Sequence, residues 1–256
     1  MNILVCVKQV PDSEGLITID DEGMGIVFKG AYRMNRYDEY ALEEALRIRE
    51  RGDADVVDAV SVGPRRAAST LKRAIEMGAA DGIHIITAEE PRLTPFETAS
   101  LIASYARQKE YGLILTGIMA EDDMHCQVGP MIAELLGYPC ASSVIFEEHR
   151  GGGHGLRVER EIEGGRREGL ELSLPAVLTI QSGINRPRYP ALSNVLRARA
   201  QKLIEIDAAS LAPPAPRERL TALRYPDIAA KGVFLEGTTA EKADALYRAL
   251  HEKALI

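Results

Sequence analysis

The chain opens on Ile3-Leu4-Val5-Cys6-Val7, an unbroken apolar run that ends at Lys8-Gln9-Val10-Pro11-Asp12. A run this short is the pattern of a strand covered on both faces, as in the middle of a parallel sheet. Residues 13–30 then alternate apolar and polar positions between Gly15, Gly23, Gly25 and Gly30, which predicts a small β-hairpin. From residue 40 the spacing becomes helical. Ala41, Leu42, Ala45, Leu46 and Ile48 share one face, Asn35 or Asp38 is the cap, and Gly52 is the stop.

The alternation repeats. Residues 56–62 read as a strand, Gly63-Pro64 as a turn and 67–77 as a helix ended by Gly78. Ile83-His84-Ile85-Ile86 is a third strand, Thr94-Pro95 opens a helix reaching about Gln108, and Leu113-Ile114-Leu115-Thr116 is a fourth strand. After Gly117 an acidic loop leads into a helix from about Cys126 to Leu136, stopped by Gly137 and Pro139. Strands alternating with helices predict an α/β fold with a doubly wound, mostly parallel sheet.

From about residue 140 the pattern changes to strands and turns. Strands at 141–147, 156–162, 170–174 and 176–180, with glycines clustered at 151–153 and 164–165, predict an antiparallel hairpin excursion (148–175) on the sheet edge, then a return strand. Leu211-Ala212-Pro213-Pro214-Ala215-Pro216 reads as extended linker, and 239–253 as an amphipathic helix available to another chain. The expected division is therefore an α/β domain, 1–206, followed by a proline-rich linker and C-terminal arm, 207–256.

Composition narrows the picture. With 31 Lys plus Arg against 38 Asp plus Glu the net charge is -7, so the positive field that nucleic-acid binding relies on is missing. Cys6, Cys126 and Cys140 are widely spaced with no C-x-x-C pair, which suggests neither a disulfide framework nor a zinc site and fits a reducing compartment. The N-terminal apolar run is too short for a signal sequence or membrane span, so the chain reads as soluble and intracellular. It has no Trp and only 5% aromatics, so a planar ligand must be held mostly by backbone and polar groups.

In an open α/β sheet, ligands bind beyond the carboxyl ends of the strands. Three such ends carry suggestive residues: Cys6 to Lys8, Ser61 to Pro64, and Gly117 through Gly129. The glycine turns precede helices whose free amides suit an anion, although turning the chain is reason enough for those glycines. Neither G-x-G-x-x-G nor the P-loop pattern occurs. Asp122 and Asp123 read as paired carboxylates, as a metal site with His125 and Cys126, or most simply as an acidic loop capping the next helix. An acidic pair repels phosphate, so a phosphate is expected at the amides near Gln127 to Gly129. His84 reads as packed within its strand, and His149, His154 and His251 as facing solvent. No Ser/His/Asp or Cys/His arrangement emerges.

Three stretches in order resemble the β-subunit family of electron-transfer flavoproteins. Met34-Asn35-Arg36-Tyr37-Asp38-Glu39-Tyr40-Ala41-Leu42-Glu43-Glu44-Ala45 is similar to the family's N-P-[FYD]-[CD]-E-x-A-[VL]-E-E-A segment. Gly117-Ile118-Met119-Ala120-Glu121-Asp122-Asp123, running into Gln127-Val128-Gly129, is the second. Val158-Glu159-Arg160-Glu161-Ile162-Glu163-Gly164-Gly165, with Leu174-Pro175-Ala176-Val177-Leu178-Thr179 and Asn185-Arg186-Pro187-Arg188-Tyr189, is the third and most specific. The likeness runs from Met1 to about Leu203.

The resemblance implies a Rossmann-like, adenine-nucleotide-binding domain in a heterodimer whose α subunit holds FAD in a mobile domain. Carried over by position, the nucleotide site comprises Cys6, Asn35, Arg36, Tyr37, Asp38, Val62, Gly117, Ile118, Met119, Ala120, Glu121, Asp122, Asp123, Met124, His125, Cys126, Gln127 and Val128. AMP is its expected occupant, with a second FAD, as in the electron-bifurcating members that oxidise NADH, as the alternative. Leu192 falls in the family's recognition loop (185–199), which anchors an acyl-CoA-type dehydrogenase of fatty acid β-oxidation; Glu161 falls where an acidic residue meets the flavin domain. The implied role is an electron carrier without catalytic or metal-binding residues of its own. It passes electrons to a downstream acceptor oxidoreductase, in the cytoplasm or, in a eukaryote, the mitochondrial matrix. The family's Asn-Pro is here Asn35-Arg36, and Met124-His125-Cys126 replaces its usual polar residues, which puts side-chain contacts to a ribose in question.

Overall fold

The opening apolar run forms β1 (Asn2–Cys6), whose side chains alternate between two buried layers. Ile3, Val5 and Val7 face one layer; Leu4 and Cys6 face the other. The computed structural model describes residues 1–88, 93–150, 155–226 and 232–255. Two compact units are present, Met1–Thr18 with Ile26–Thr221, and Ile19–Gly25 with Ala222–Ile256.

Past β1 the chain forms β2 (Gln9–Pro11), β3 (Leu16–Ile19), β4 (Ile26–Lys29), β5 (Tyr32–Met34) and helix α1 (Arg36–Glu50). It continues through β6 (Val56–Gly63), α2 (Ala68–Met77), β7 (Gly82–Ile86), α3 (Pro95–Ala106), β8 (Tyr111–Gly117) and α4 (Val128–Leu136). Next come β9 (Cys140–Arg150), β10 (Gly155–Ile162), β11 (Arg166–Ser173), β12 (Ala176–Ile180), α5 (Leu192–Ala200) and β13 (Ile204–Asp207). Among the described residues one sheet of nine strands runs in the order β11-β10-β9-β12-β8-β1-β6-β7-β13. From β9 to β13 neighbouring strands pair in parallel, and β10 and β11 add the antiparallel hairpin at one edge. The glycines at 151–153 and His154 lie outside the described residues.

Helices cover both faces, as parallel strands without a wet side require. Leu42, Ala45 and Leu46 of α1 and Leu71 and Ala74 of α2 pack with Ile3, Val5 and Leu115. On the opposite face Leu101 and Ile102 of α3 and Ile132 and Ala133 of α4 pack with Leu4, Ile83 and Ile114. The Thr94-Pro95 signal is a full capping box: Thr94 Oγ1 accepts the Glu97 amide, and Glu97 returns a carboxylate to the Thr94 amide.

Several elements differ from expectation. The helix expected from Cys126 begins at Val128, because Cys126 has φ +57 and cannot start a right-handed turn. The recognition segment is only partly loop: Leu192 is the first residue of α5, whose Arg197 and Arg199 complement its C-terminal end. β2 and β5, paired as a small separate sheet, and β13 on the sheet edge were not anticipated. His149 belongs to β9 and its Nε2 is buried with no hydrogen-bond partner among the described residues; burial lowers its pKa, and it does not face solvent.

In the second unit the Leu223 amide donates to Gly23 O (2.7 Å) and the Ile19 amide to Tyr225 Oη (2.9 Å). Its helix α6 (Thr239–Glu252) has a capping box of Thr238 and Glu241 and leaves Leu246 and Tyr247 exposed. Among the described residues no helix is long and apolar enough to cross a membrane.

Candidate functional site

The strand order sets the place. From β1 the chain proceeds to β6 and β7 on one side, then returns to β8 and β12 on the other, so the direction of winding reverses between β1 and β8. In doubly wound sheets the crevice at the carboxyl ends of such a pair is where ligands bind. Here those ends carry Cys6 to Lys8 and Gly117 onward.

One buried carboxylate joins the two strand ends. Asp38, in the first turn of α1, accepts the Lys8 amide at Oδ2 (2.7 Å) and the Gly117 amide at Oδ1 (3.0 Å). Burial pushes its pKa up to about 7 against the pull of those amides and of Asn35. The approach needs glycine, since a Cβ on Gly117 would stand 2.5 Å from Asp38 Oδ1 and 2.6 Å from Tyr37 Cβ.

Asn35 occupies the cap position of α1 but does not cap it. Its buried amide instead donates from Nδ2 to Met119 O (2.8 Å) and accepts the Glu121 amide at Oδ1 (3.1 Å). Glu121 completes the exchange: its carboxylate accepts the Arg36 amide (3.1 Å) and pairs with Arg33 (2.8 Å). The departure from Asn-Pro thus has a structural use, because proline has no amide to offer Glu121.

The acidic pair is not free to repel a phosphate, contrary to expectation. Lys8 Nζ lies 2.7 Å from both Asp122 Oδ1 and Asp123 Oδ2 and neutralises much of their charge. Burial would raise the Asp123 carboxyl, but the Lys8 ammonium, with a hydrogen bond from the His125 amide, holds it below its ordinary value. Beyond it the chain turns tightly through Met124 (φ +53) and Cys126 (φ +57). The Met124 amide donates to Ala120 O (2.8 Å), and the Cys126 thiol donates to Met124 O (3.5 Å).

This turn delivers Gln127 and Val128 to the start of α4, where the cap residue Gln127 makes no side-chain capping bond. First-turn amides of a helix lack partners within it and carry its positive dipole end, so they suit an anion. Gly129 sets that end against the sheet; a Cβ there would lie 2.5 Å from Thr179 Cγ2 and 2.8 Å from Thr116 Oγ1. The other expected site residues contribute shape. Cys6 is buried, and burial, followed by the nearby Asp38 charge, pushes its thiol pKa up, while Val62 packs at the end of the neighbouring β6. Ile118 continues the sheet by donating its amide to Ile180 O (2.9 Å). Among the described residues no cluster of three or more His, Cys, Asp or Glu could hold a metal ion.

Two residues lie apart from this crevice. Glu161 is exposed on β10 opposite Arg167. Leu192 stands on α5, 75% exposed. The sequence reading missed the ion pairs of Lys8; an isolated cation at the end of the first strand, facing an acidic loop, was the available signal.

Comparison with known proteins identifies the family. Residues 24–211 match the electron transfer flavoprotein domain. The chain is 39% identical over 209 residues to the electron transfer flavoprotein subunit beta of Homo sapiens, covering 79% of this chain and 80% of that protein. It is 39% identical over 207 residues to the mitochondrial subunit beta of Arabidopsis thaliana (79% and 80% covered). With the subunit beta of Methylophilus methylotrophus the identity is 29%, over 98% of both chains.

Proposed function

The chain belongs to the electron transfer flavoprotein family as a β subunit, a component of electron transfer that works with an α subunit, and on that premise we propose that its crevice between β1 and β8 holds AMP. The observation that carries the proposal is the construction of the crevice. Asp38 and Asn35 fix the strand ends and the 117–123 loop, Lys8 offsets part of the charge of the acidic pair, and the first turn of α4 offers amides. These donors fit a phosphate, and the few aromatic residues leave the adenine to backbone and aliphatic contacts.

AMP would contribute no redox chemistry; its place here is structural. Electrons would be carried by FAD held with the α subunit, with the 207–256 arm laid on that subunit and Glu161 facing its flavin domain. Leu192 would meet an acyl-CoA-type dehydrogenase, and the electrons would leave to a downstream acceptor oxidoreductase.

Quantifying nucleotides released from the purified heterodimer tests this reading. One AMP and one FAD per heterodimer support it. Two FAD and no AMP favour the bifurcating alternative, and absence of any adenine nucleotide besides one FAD overturns an occupied crevice.

A further inference from the structure

The stretch carrying Leu192 is clamped at both ends. At its start Arg188 forks onto α1: Nε and Nη2 lie 2.7 and 2.9 Å from the two carboxylate oxygens of buried Glu43, and Nη2 lies 3.1 Å from Glu50. The Arg188 backbone amide also donates to Glu43 Oε2 (3.1 Å). Beside it Asn185 Nδ2 donates to Tyr40 O (3.0 Å) and to Glu44 Oε2 (2.8 Å). At its end Arg197 Nη2 donates to Ala79 O (2.9 Å), Lys72 Nζ to Ala198 O (2.7 Å) and Gln201 Nε2 to Ala80 O (2.7 Å).

Between the clamps stand Tyr189, Leu192 and Leu196, exposed by 93%, 75% and 56%. Apolar side chains held out at that exposure cost less to order on binding if their backbone is already fixed. A guanidinium gripping one carboxylate through two nitrogens fixes direction as well as distance, which a lysine cannot do. The residues before the stretch, 181–188, have no helix or strand of their own to hold them.

We propose that Arg188 is the positioning residue of the docking stretch: its fork on Glu43 sets where Tyr189 and Leu192 stand for a partner flavoprotein, without itself touching that partner. The inference rests on the reading of Leu192 as a docking residue.

The test uses the intact heterodimer, reduced by an octanoyl-CoA-oxidising acyl-CoA dehydrogenase, with heterodimer concentration varied. Arg188→Gln, Arg188→Lys, Leu192→Ala and the Arg188→Gln/Leu192→Ala double variant are compared for KM, kcat and bound nucleotide. We expect Arg188→Gln to raise KM about tenfold with kcat within about twofold and nucleotide content unchanged. Arg188→Lys, which keeps charge but loses the fork, should raise KM by about threefold, and it carries the test if the glutamine variant does not assemble. The rise in KM of the double variant should fall short of the product of the two single effects. A raised KM for Leu192→Ala with unchanged KM for both Arg188 variants overturns the positioning role alone. So do fully multiplicative effects, or loss of kcat and nucleotide together. An unchanged KM for Leu192→Ala overturns the docking reading, and the inference falls with it.

Discussion

Gly117 stands against Asp38: its amide donates to Oδ1 at 3.0 Å, and a Cβ in its place would lie 2.5 Å from the same oxygen. One residue at the end of β8 and one in the first turn of α1 therefore share a space that admits no side chain between them. Replacing Gly117 with alanine pushes residue 117 away from Asp38 and the Tyr37 backbone, and overpacking of this kind costs roughly 1–3 kcal/mol. Urea unfolding should show a correspondingly lower midpoint, and an unchanged midpoint would refute the close fit.

The Asp38 proton gives a pH signature. With the folded pKa raised to about 7, the folded chain keeps a proton between roughly pH 4 and pH 7 that the unfolded chain releases. The stability linked to that proton is present at the acid end of the window and lost as pH rises through about 7. Asp38→Asn lacks this dependence, so it should gain on the wild type as pH rises across the window. Parallel stability curves for the two proteins would contradict this account of Asp38.

Asn35 ties the loop to the helix. Asn35→Ala leaves Met119 O and the Glu121 amide without their partner, at a cost of roughly 1–3 kcal/mol. Hydrogen exchange at Glu121 should quicken before that of β8. Exchange unchanged at Glu121 would mean that the loop holds its form without Asn35.

Lys8 holds the charge balance of the crevice. Lys8→Met removes the ammonium shared by Asp122 and Asp123 and makes the crevice more negative, so AMP should bind about tenfold or more weakly, which corresponds to roughly 1.4 kcal/mol or more. Adenosine, which has no phosphate to repel, should lose less. Titration calorimetry with both ligands decides the point; equal losses would show that Lys8 acts through general structure.

Much of this was legible in the chain, for identifiable reasons. The sheet followed from continuous apolar runs such as Ile3 to Val7, and α3 from Thr94-Pro95 with Glu97, because these signals are local. The candidate strand ends were found by the alternation itself, and the family motifs fell on them. What stayed hidden depended on contacts between distant residues. Lys8 meets Asp122 across 114 positions, and Asn35 turns from capping its own helix to bridge Met119 and Glu121. Arg188 could be read as part of a motif, but its hold on Glu43, 145 positions away, could not. The start of α4 was misplaced because a left-handed Cys126 leaves no mark in a sequence where glycine or asparagine would be the usual sign.

The central claim is that this subunit's own crevice, between β1 and β8, holds a structural nucleotide separate from the flavin. Native mass spectrometry of the heterodimer, wild type beside Gly117→Ala, tests it most directly. The account expects one AMP and one FAD on the wild type, and a variant that keeps FAD but has lost AMP. A wild type without AMP, or a variant that retains it in full, would contradict the claim.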